Sequence, residues 1–332
     1  MNNFLITGGA GFIGSHLAEA LLNSGNSVTV IDDLSTGCWE NIAALENNPN
    51  FRGVIASADD KPLLENEIPK HNFIYHLASA VGVKLIIERP VETVQRIVRT
   101  TDALVDVCAK YRKPLLLTST SEVYGKSTDI PFREENDIVM GATSKRRWAY
   151  AAAKMLDEFL VLAHHYQSQL PVYIVRLFNT VGPRQTGQYG MVVPRFVSAA
   201  LQNKPLEIYG DGHQKRCFCC VFDVVEALLT FPQIHFAGQT SGQNKSDTTG
   251  QVINIGTNEE ISMLELAQLI IRQLGSESST VFIPYEEAYG PGFDDMRRRV
   301  PDISRAKNLL GWQPKTPLNE IIRLIADSMR QN

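Results

Sequence analysis

Short runs of apolar and β-branched residues alternate with longer segments of helical periodicity through the first half of the chain. The short runs predict strands at 3–7, 27–32, 73–78, 114–120 and 171–177. The segments between them predict helices at roughly 12–24, 91–111 and 145–167. Strands that alternate with helices usually form a parallel sheet covered on both faces. The pattern therefore predicts a doubly wound α/β fold.

The second half mixes loops with shorter elements. Segments 221–231 and 251–256 predict a helix and a strand that return to the sheet, and the polar segment 238–250 between them predicts a mobile loop. "SMLE" at 262–265 resembles a capping box, and a later helix ends at Gly311. We therefore predict two interleaved parts: 1–178 with about 215–257, and a smaller lobe of about 179–214 with 258–332.

Composition and charge are ordinary for a globular protein and call for neither nucleic acid nor membrane as a partner. The 332 residues are 44% hydrophobic and 20% charged, with a net charge of −4. No apolar run approaches the ~20 residues of a membrane span, and the first residues lack a signal-peptide pattern, so we expect a cytoplasmic location. Five cysteines, an odd number with no histidine cluster beside them, predict neither disulfides nor a metal site.

The strongest local motif is "LITGGAGFIGSHL", where Gly8, Gly11 and Gly14 follow a predicted strand and open a predicted helix. Such glycines let the backbone approach a pyrophosphate at the positive end of the helix dipole. Asp32 ends the next strand, where a carboxylate accepts hydrogen bonds from ribose hydroxyls. No arginine follows until Arg52, so the motif predicts a Rossmann site that prefers NAD to NADP.

A second constellation follows the strand "PLLLTSTSEVYG". Its terminal hydroxyls precede "GATSKRRWAYAAAK", in which Tyr150 and Lys154 share one helix face. An ammonium near the phenol favours the phenolate, so tyrosine becomes a base below its usual pKa of ~10. Thr120 or Ser121 would hold a carbinol oxygen, Tyr150 would take its proton, and Lys154 would support the phenolate and the nicotinamide ribose.

The basic residues Lys145, Arg146 and Arg147 precede this tyrosine. Cations are poorly placed at a helix N-terminus, so we expect a local acid or ligand to compensate. The cluster is either a solvated helix start, or one member faces an acidic sugar or a cofactor phosphate.

These motifs together resemble the extended short-chain dehydrogenase/reductases that act on nucleotide sugars. The resemblance covers nearly the whole chain and rests on "TGGAGFIGSHL", "YHLAS", "STSEVYG", "YAAAK", "RLFNTVGPR", "YGDGHQKRCF" and "PDISRAKNLLGW". It implies a bound NAD, oxidation at C4 of a UDP- or TDP-sugar, and a 4-keto intermediate. It also implies a homodimer packed through the helices at roughly 91–111 and 148–167.

The resemblance also implies roles for individual residues. Asn179 would contact the diphosphate or sugar, Tyr209 would lie near the base, and Arg184 would meet a C6 carboxylate or a phosphate. The catalytic residues would be Thr120, Tyr150 and Lys154, with Ser121 and Glu122 beside them. The cofactor-binding residues would be Gly8, Gly11, Phe12, Ile13, Gly14, Asp32, Asp33, Leu77, Ala78, Ser79, Tyr150 and Lys154. The substrate-binding residues would be Lys84, Asn179, Arg184, Val193, Tyr209, Arg216 and Arg299, the two last near the phosphates.

The fate of the 4-ketone separates the branches of this family. Dehydratases of TDP-glucose carry Thr-Asp-Glu where this chain has Thr120-Ser121-Glu122, and serine cannot supply the acid, so dehydration is disfavoured. The UDP-glucuronate decarboxylases are similar in "TSEVYG" and in Arg299, whereas the loop with Lys84 is closer to that of 4-epimerases. We predict a UDP-sugar 4-epimerase acting on UDP-glucuronate or UDP-glucose. The alternatives are a UDP-glucuronate decarboxylase and, remotely, a non-catalytic NAD-binding regulator.

Overall fold

The structure is a computed structural model, and it describes residues 1–79, 89–187, 190–241, 248–289, 296 and 298–331. The strands are β1 (Asn3–Thr7), β2 (Ser27–Asp32), β3 (Phe51–Ile55), β4 (Phe73–His76), β5 (Leu115–Thr120), β6 (Val172–Leu177), β7 (Thr180–Val181), β8 (Leu206–Tyr209), β9 (Lys215–Cys217), β10 (Cys219–Cys220), β11 (Gln251–Ile255), β12 (Glu260–Ser262) and β13 (Thr280–Ile283). The helices are α1 (Phe12–Asn23), α2 (Lys61–Glu67), α3 (Pro90–Tyr111), α4 (Trp148–Ser168), α5 (Val192–Leu201), α6 (Val221–Ser241), α7 (Met263–Leu274), α8 (Tyr285–Tyr289), α9 (Ser304–Leu310) and α10 (Leu318–Gln331).

A seven-stranded sheet in the order β11-β6-β5-β4-β1-β2-β3 forms the centre of the molecule, and every pair in it is parallel. Ile6 of β1 faces Val30 on one side and Tyr75 on the other, which fixes the central register. Helices α1 and α6 cover one face, and α2, α3 and α4 cover the other. The predicted doubly wound α/β fold is confirmed, including the return of segment 251–256 as the edge strand β11.

Two elements differ from the sequence prediction. Strand β3 was not predicted, because Arg52 and Gly53 interrupt its apolar pattern and it lies at the sheet edge, half-exposed. Helix α6 was predicted to end at 231, with a loop from 238, but it continues through Pro232 to Ser241. Its extension is held by packing, since Phe231 is buried and His235 hydrogen-bonds the Tyr173 hydroxyl at 2.8 Å. Residues 242–247 of the predicted loop lie outside the described residues.

Both predicted helix ends are confirmed. Ser262 and Glu265 form a reciprocal capping box at the start of α7. Gly311 follows α9 with φ +63°, in the left-handed region that favours glycine.

A second hydrophobic core lies beyond the sheet. Helices α5, α7 and α10 pack with β8 through Phe196, Leu266 and Ile322, among others. The chain then crosses back, because α9 and Trp312 pack against the core of the sheet, and Trp312 Nε1 donates to the Asp223 carbonyl at 2.8 Å. The predicted division near 178, 215 and 257 stays a prediction.

All five cysteines are free thiols. Cys217, Cys219 and Cys220 are buried, and burial raises the pKa of each thiol, that of Cys217 to about 12. Within the part of the chain that the structure describes, no group of three or more His, Cys, Asp or Glu side chains could hold a metal ion. The described helices include none long and apolar enough to cross a bilayer.

Candidate active site

A cavity of roughly 570 Å³ opens at the carboxyl ends of the sheet strands, between the sheet and the second core. Parallel strands collect their ends at one edge, which is where open α/β sheets bind ligands. Of the residues predicted for the site, those that line this cavity are Gly8, Gly11, Phe12, Ile13, Gly14, Asp32, Asp33, Leu77, Ala78, Ser79, Thr120, Ser121, Glu122, Tyr150, Lys154, Asn179, Arg184, Val193, Tyr209, Arg216 and Arg299. Lys84 lies outside the described residues.

The glycine turn after β1 is packed so closely against neighbouring backbone that Gly8 and Gly14 have no room for a side chain. Gly8 has φ +76°, and a Cβ there would collide with the backbone of Ala78. A Cβ on Gly14 would overlap the Gly8 carbonyl. Helix α1 starts after Gly11 with no side-chain cap and no acid in its first turn. The Ser79 hydroxyl is buried beside the turn without a hydrogen-bond partner in the described structure. These features fit the pyrophosphate and ribose of a dinucleotide.

Asp32 lies at the end of β2 with its carboxylate held by backbone amides. Its Oδ2 accepts from Ala10 N at 2.9 Å and its Oδ1 from Leu34 N at 2.8 Å, and burial raises the pKa of the carboxyl. Arg52 is engaged elsewhere, 2.7 Å from Glu67. Arg96 of α3 reaches this end of the sheet instead, 3.0 Å from Asp33. Sequence spacing could not predict that Arg96 lies beside Asp33, because the two residues belong to elements far apart in the chain.

Tyr150 and Lys154 lie on the first turns of α4, with 7% and 2% of their surfaces exposed. The Thr120 hydroxyl at the end of β5 lies near the phenol and acts to lower its pKa. Burial raises the pKa of Tyr150 well above its ordinary value, the Glu122 charge adds to this, and Arg147 opposes it. The lowered pKa expected from the Tyr-x-x-x-Lys spacing is therefore not found in this ligand-free structure. The Lys154 ammonium lies 2.8 Å from Asp157, which offsets its charge.

The basic cluster before α4 has one buried member. Arg147 is 3% exposed, and its guanidinium lies 2.5 Å from Oε2 of Glu122, whereas Lys145 and Arg146 are exposed. Arg299 pairs with Oε1 of the same carboxylate. The expectation of a local acid that compensates the cluster is confirmed, and that acid is Glu122. Three segments far apart in the chain thus build one buried Arg-Glu-Arg cluster beside Tyr150.

The opposite wall of the cavity carries the residues predicted for the substrate. Asn179 Nδ2 donates to the Cys217 carbonyl at 2.9 Å. Arg184, with φ +66°, pairs with Glu19 of α1 at 2.7 Å, so its charge is already met inside the protein. Tyr209 lies 4.4 Å beneath the guanidinium of Arg195.

Sequence reasoning missed several cavity residues. Arg147 had a signal in the basic cluster, but nothing in the sequence said which member turns inward. The other missed residues include Arg96, Thr180, Gln185, Arg195 and Tyr285. Thr180 lies within "RLFNTVGPR" and Gln185 directly follows it, whereas Arg96, Arg195 and Tyr285 are brought to the cavity by the fold alone.

A parallel seven-stranded sheet, a glycine turn after β1, an aspartate at the end of β2 and a Tyr-x-x-x-Lys pair beside β5 define an NAD-dependent short-chain dehydrogenase/reductase of the extended type. The family model described as "GDP-mannose 4,6 dehydratase" matches residues 5–325, so this chain belongs to that family.

The names of similar proteins refer to two reactions, decarboxylation and 4-epimerisation. The chain is 40% identical over 311 residues to the UDP-N-acetyl-alpha-D-glucosaminuronate decarboxylase of Bacillus cytotoxicus, covering 93% of this chain and 92% of that protein. It is 36% identical to UDP-glucuronic acid decarboxylase 4 of Arabidopsis thaliana, covering 98% of this chain and 68% of that protein. Among solved structures, the UDP-glucuronic acid 4-epimerase of Bacillus cereus, in complex with UDP-glucuronic acid and NAD, is 28% identical, with a TM-score of 0.86 and 99% of each chain covered.

Proposed function

We propose that this protein is an NAD-dependent decarboxylase of a UDP-hexuronate. The observation that carries the proposal is the buried Arg147-Glu122-Arg299 cluster, which faces the same cavity as Thr120 and Tyr150. A C6 carboxylate needs a cationic partner close to the group that oxidises C4, and Arg299 supplies that charge. The names of the relatives favour this reaction over the 4-epimerase that the sequence predicted.

The cofactor fits the glycine turn, and the side chains of this protein hold it in defined ways. The Gly8-Gly14 turn and the start of α1 would bind its pyrophosphate, and Asp32 would accept hydrogen bonds from its adenosine ribose. Lys154 would meet the nicotinamide ribose. When bound, NAD accepts the two electrons of the C4–H bond and later returns them.

The first chemical step is oxidation at C4. The Thr120 hydroxyl lies near the Tyr150 phenol, and both residues line the cavity, so both would contact the C4 hydroxyl of the substrate. Tyr150 would take the hydroxyl proton as C4 becomes a ketone. The positive charge of Arg147 would offset part of the cost of a buried phenolate.

The ketone then makes the uronic acid a β-keto acid. The C5–C6 bond breaks, carbon dioxide leaves, and its electron pair remains as an enolate on C5, C4 and O4. Thr120 and Tyr150 are placed to donate to that oxygen. C5 takes up one proton from solvent, and Tyr150 returns its proton to O4 when the ketone is reduced. The net reaction converts a UDP-hexuronate and one proton into a UDP-pentose and carbon dioxide.

Glu122 would control how tightly the carboxylate is held. Two uncompensated arginines would stabilise the ground-state carboxylate and so oppose its loss, because only interactions stronger in the transition state accelerate a reaction. Sharing both guanidinium groups with Glu122 weakens that hold.

The test is incubation with UDP-glucuronate, UDP-N-acetylglucosaminuronate and UDP-glucose, followed by mass spectrometry and proton NMR. A product lighter by one carbon dioxide supports the proposal. A product of unchanged mass with an altered H4 coupling would show the 4-epimerase instead, a reaction that shares the same 4-ketone and is named for the similar Bacillus cereus structure.

Tyr150→Phe distinguishes an enzyme from an NAD-binding regulator. We expect this variant to lose turnover and retain NAD, while Tyr166→Phe, at a side chain that is 75% exposed, keeps both. Turnover that survives Tyr150→Phe would contradict the proposed chemistry.

We also infer that the chain forms a homodimer through α3 and α4. Leu156, Phe159 and Tyr166 line one face of α4 and are 49%, 60% and 75% exposed, and Val91 at the start of α3 is 68% exposed. An exposed apolar stripe of this kind on two packed helices is typical of an interface. A second copy packed on the same helices would cover the stripe in a symmetric way.

A further inference from the structure

A second buried carboxylate lies beneath the site, three residues after Lys154 on α4. The Asp157 side chain is fully buried, and its Oδ2 lies 2.8 Å from the Lys154 ammonium, whose side chain is 2% exposed. The spacing puts both groups on one face of the helix. The chemistry described above assigns no role to Asp157.

The side chains of Thr101 and His76 next to this ion pair are uncharged near pH 7. From α3, the Thr101 hydroxyl lies near Asp157 and favours its charged form, although burial raises the pKa of the carboxyl overall. From β4, His76 lies 3.1 Å from the Thr101 hydroxyl and 2.7 Å from that of Thr7. Burial and the Lys154 charge lower the pKa of His76 to about 3, so this ring is neutral near pH 7.

The next acid on α4 is engaged elsewhere. Glu158 pairs with Arg176 at 2.7 Å and hydrogen-bonds Ser119. Asp157 is therefore the acid paired with Lys154 within the described ranges. Charges this deeply buried are costly unless paired, so the ion pair holds both side chains in place.

The pair changes what Lys154 does to Tyr150. A lone ammonium one turn away would favour the phenolate, whereas an ammonium paired with a carboxylate presents mainly a dipole. We propose that Asp157 is a positioning residue of this active site, which fixes Lys154 beneath the cavity and offsets its charge on Tyr150. The inference rests on the proposed role of Tyr150 as acid and base.

The experiment measures the ionisation of residue 150 directly. Difluorotyrosine incorporated at position 150 ionises at a lower pH than tyrosine, and fluorine NMR of the ligand-free protein reports its titration midpoint. Asp157 lies seven residues, or about 10 Å, along the helix from Tyr150. Loss of one charge at that distance lowers the midpoint by about one pH unit in Asp157→Asn, at an effective dielectric constant of ~20. Asp106→Asn, an exposed acid on α3, makes the same change in net charge and should leave the midpoint in place. An unchanged midpoint in Asp157→Asn would overturn the proposal.

A second variant decides the matter if Asp157→Asn does not fold. In Lys154→Met the abandoned carboxyl takes up a proton, so both charges disappear together. We expect the midpoint of residue 150 to rise by less than about one unit, because the carboxylate at about 10 Å offsets part of the effect of the ammonium at about 6 Å. A rise of about two units, which a lone ammonium at about 6 Å would cause at a dielectric constant of ~20, would show that Lys154 acts alone and that the proposal is wrong. Neither titration needs a substrate, so failure to decarboxylate a hexuronate would refute the proposed function and leave this result standing.

Discussion

Glu122→Gln tests whether the buried Arg-Glu-Arg cluster acts as one unit. The substitution keeps the size of the side chain and removes its charge. The Glu122 side chain is 10% exposed, and those of Arg147 and Arg299 are 2% and 9% exposed. Removal of the carboxylate therefore leaves two guanidinium charges buried next to each other.

The expected loss of stability follows from this burial. Removal of one partner from a buried ion pair costs about 3–5 kcal/mol, because the remaining charge loses the opposite charge that offset its desolvation. Glu226→Gln is the matched control, since Glu226 pairs with Lys315 at the surface, where the two side chains are 51% and 62% exposed. Exposed pairs contribute about 0–1 kcal/mol.

The assay is chemical denaturation of ligand-free wild type and both variants at one protein concentration. The same variant should lower KM and kcat together for a hexuronate, because freed arginines hold the ground-state carboxylate more tightly. A stability loss below about 1 kcal/mol in Glu122→Gln, equal to that of the control, would refute the view that the three charges depend on one another.

Three further predictions concern the cofactor turn, the buried histidine and the exposed stripe. Gly14→Ala should weaken NAD binding by about tenfold or more in a fluorescence titration, because its Cβ overlaps the Gly8 carbonyl, while Gly275→Ala, whose Cβ meets nothing, should leave it unchanged; equal affinities would contradict this. His76 has a pKa of about 3 in the folded protein against 6.5 in the unfolded chain, so the unfolded chain binds more protons between these values and stability falls as the pH drops through them. His76→Gln should remove this slope, worth about 3 kcal/mol between pH 7 and pH 4, when denaturation is measured at both pH values, and an unaltered slope would show that another group titrates. Phe159→Glu should yield monomers in light scattering, whereas Val281→Glu on β13, 41% exposed, should not; a dimeric Phe159→Glu would place the interface elsewhere.

Elements whose hydrophobic pattern is local were predicted correctly from the sequence. The central strands alternate with helices of clear periodicity, and all of those predicted in the first half of the chain are present. The edge strand β3 escaped prediction because one of its faces is not buried, so its sequence lacks a continuous apolar run. Helix α6 extends beyond its predicted end because tertiary packing around Phe231 and His235 stabilises it more than Pro232 and the polar residues that follow destabilise it.

The sequence by itself determined six of the seven strands of the sheet, the glycine turn and the Tyr150-Lys154 pair. Each depends on backbone sterics or on helical spacing within a few residues, and such short-range geometry is written into neighbouring positions. Only the tertiary structure decided which charges meet. Glu122, Arg147 and Arg299 form one cluster, and Arg96 reaches the end of β2 from a separate helix. Ion pairing depends on distances between segments far apart in the chain and on the water excluded around them, and no local pattern encodes either quantity.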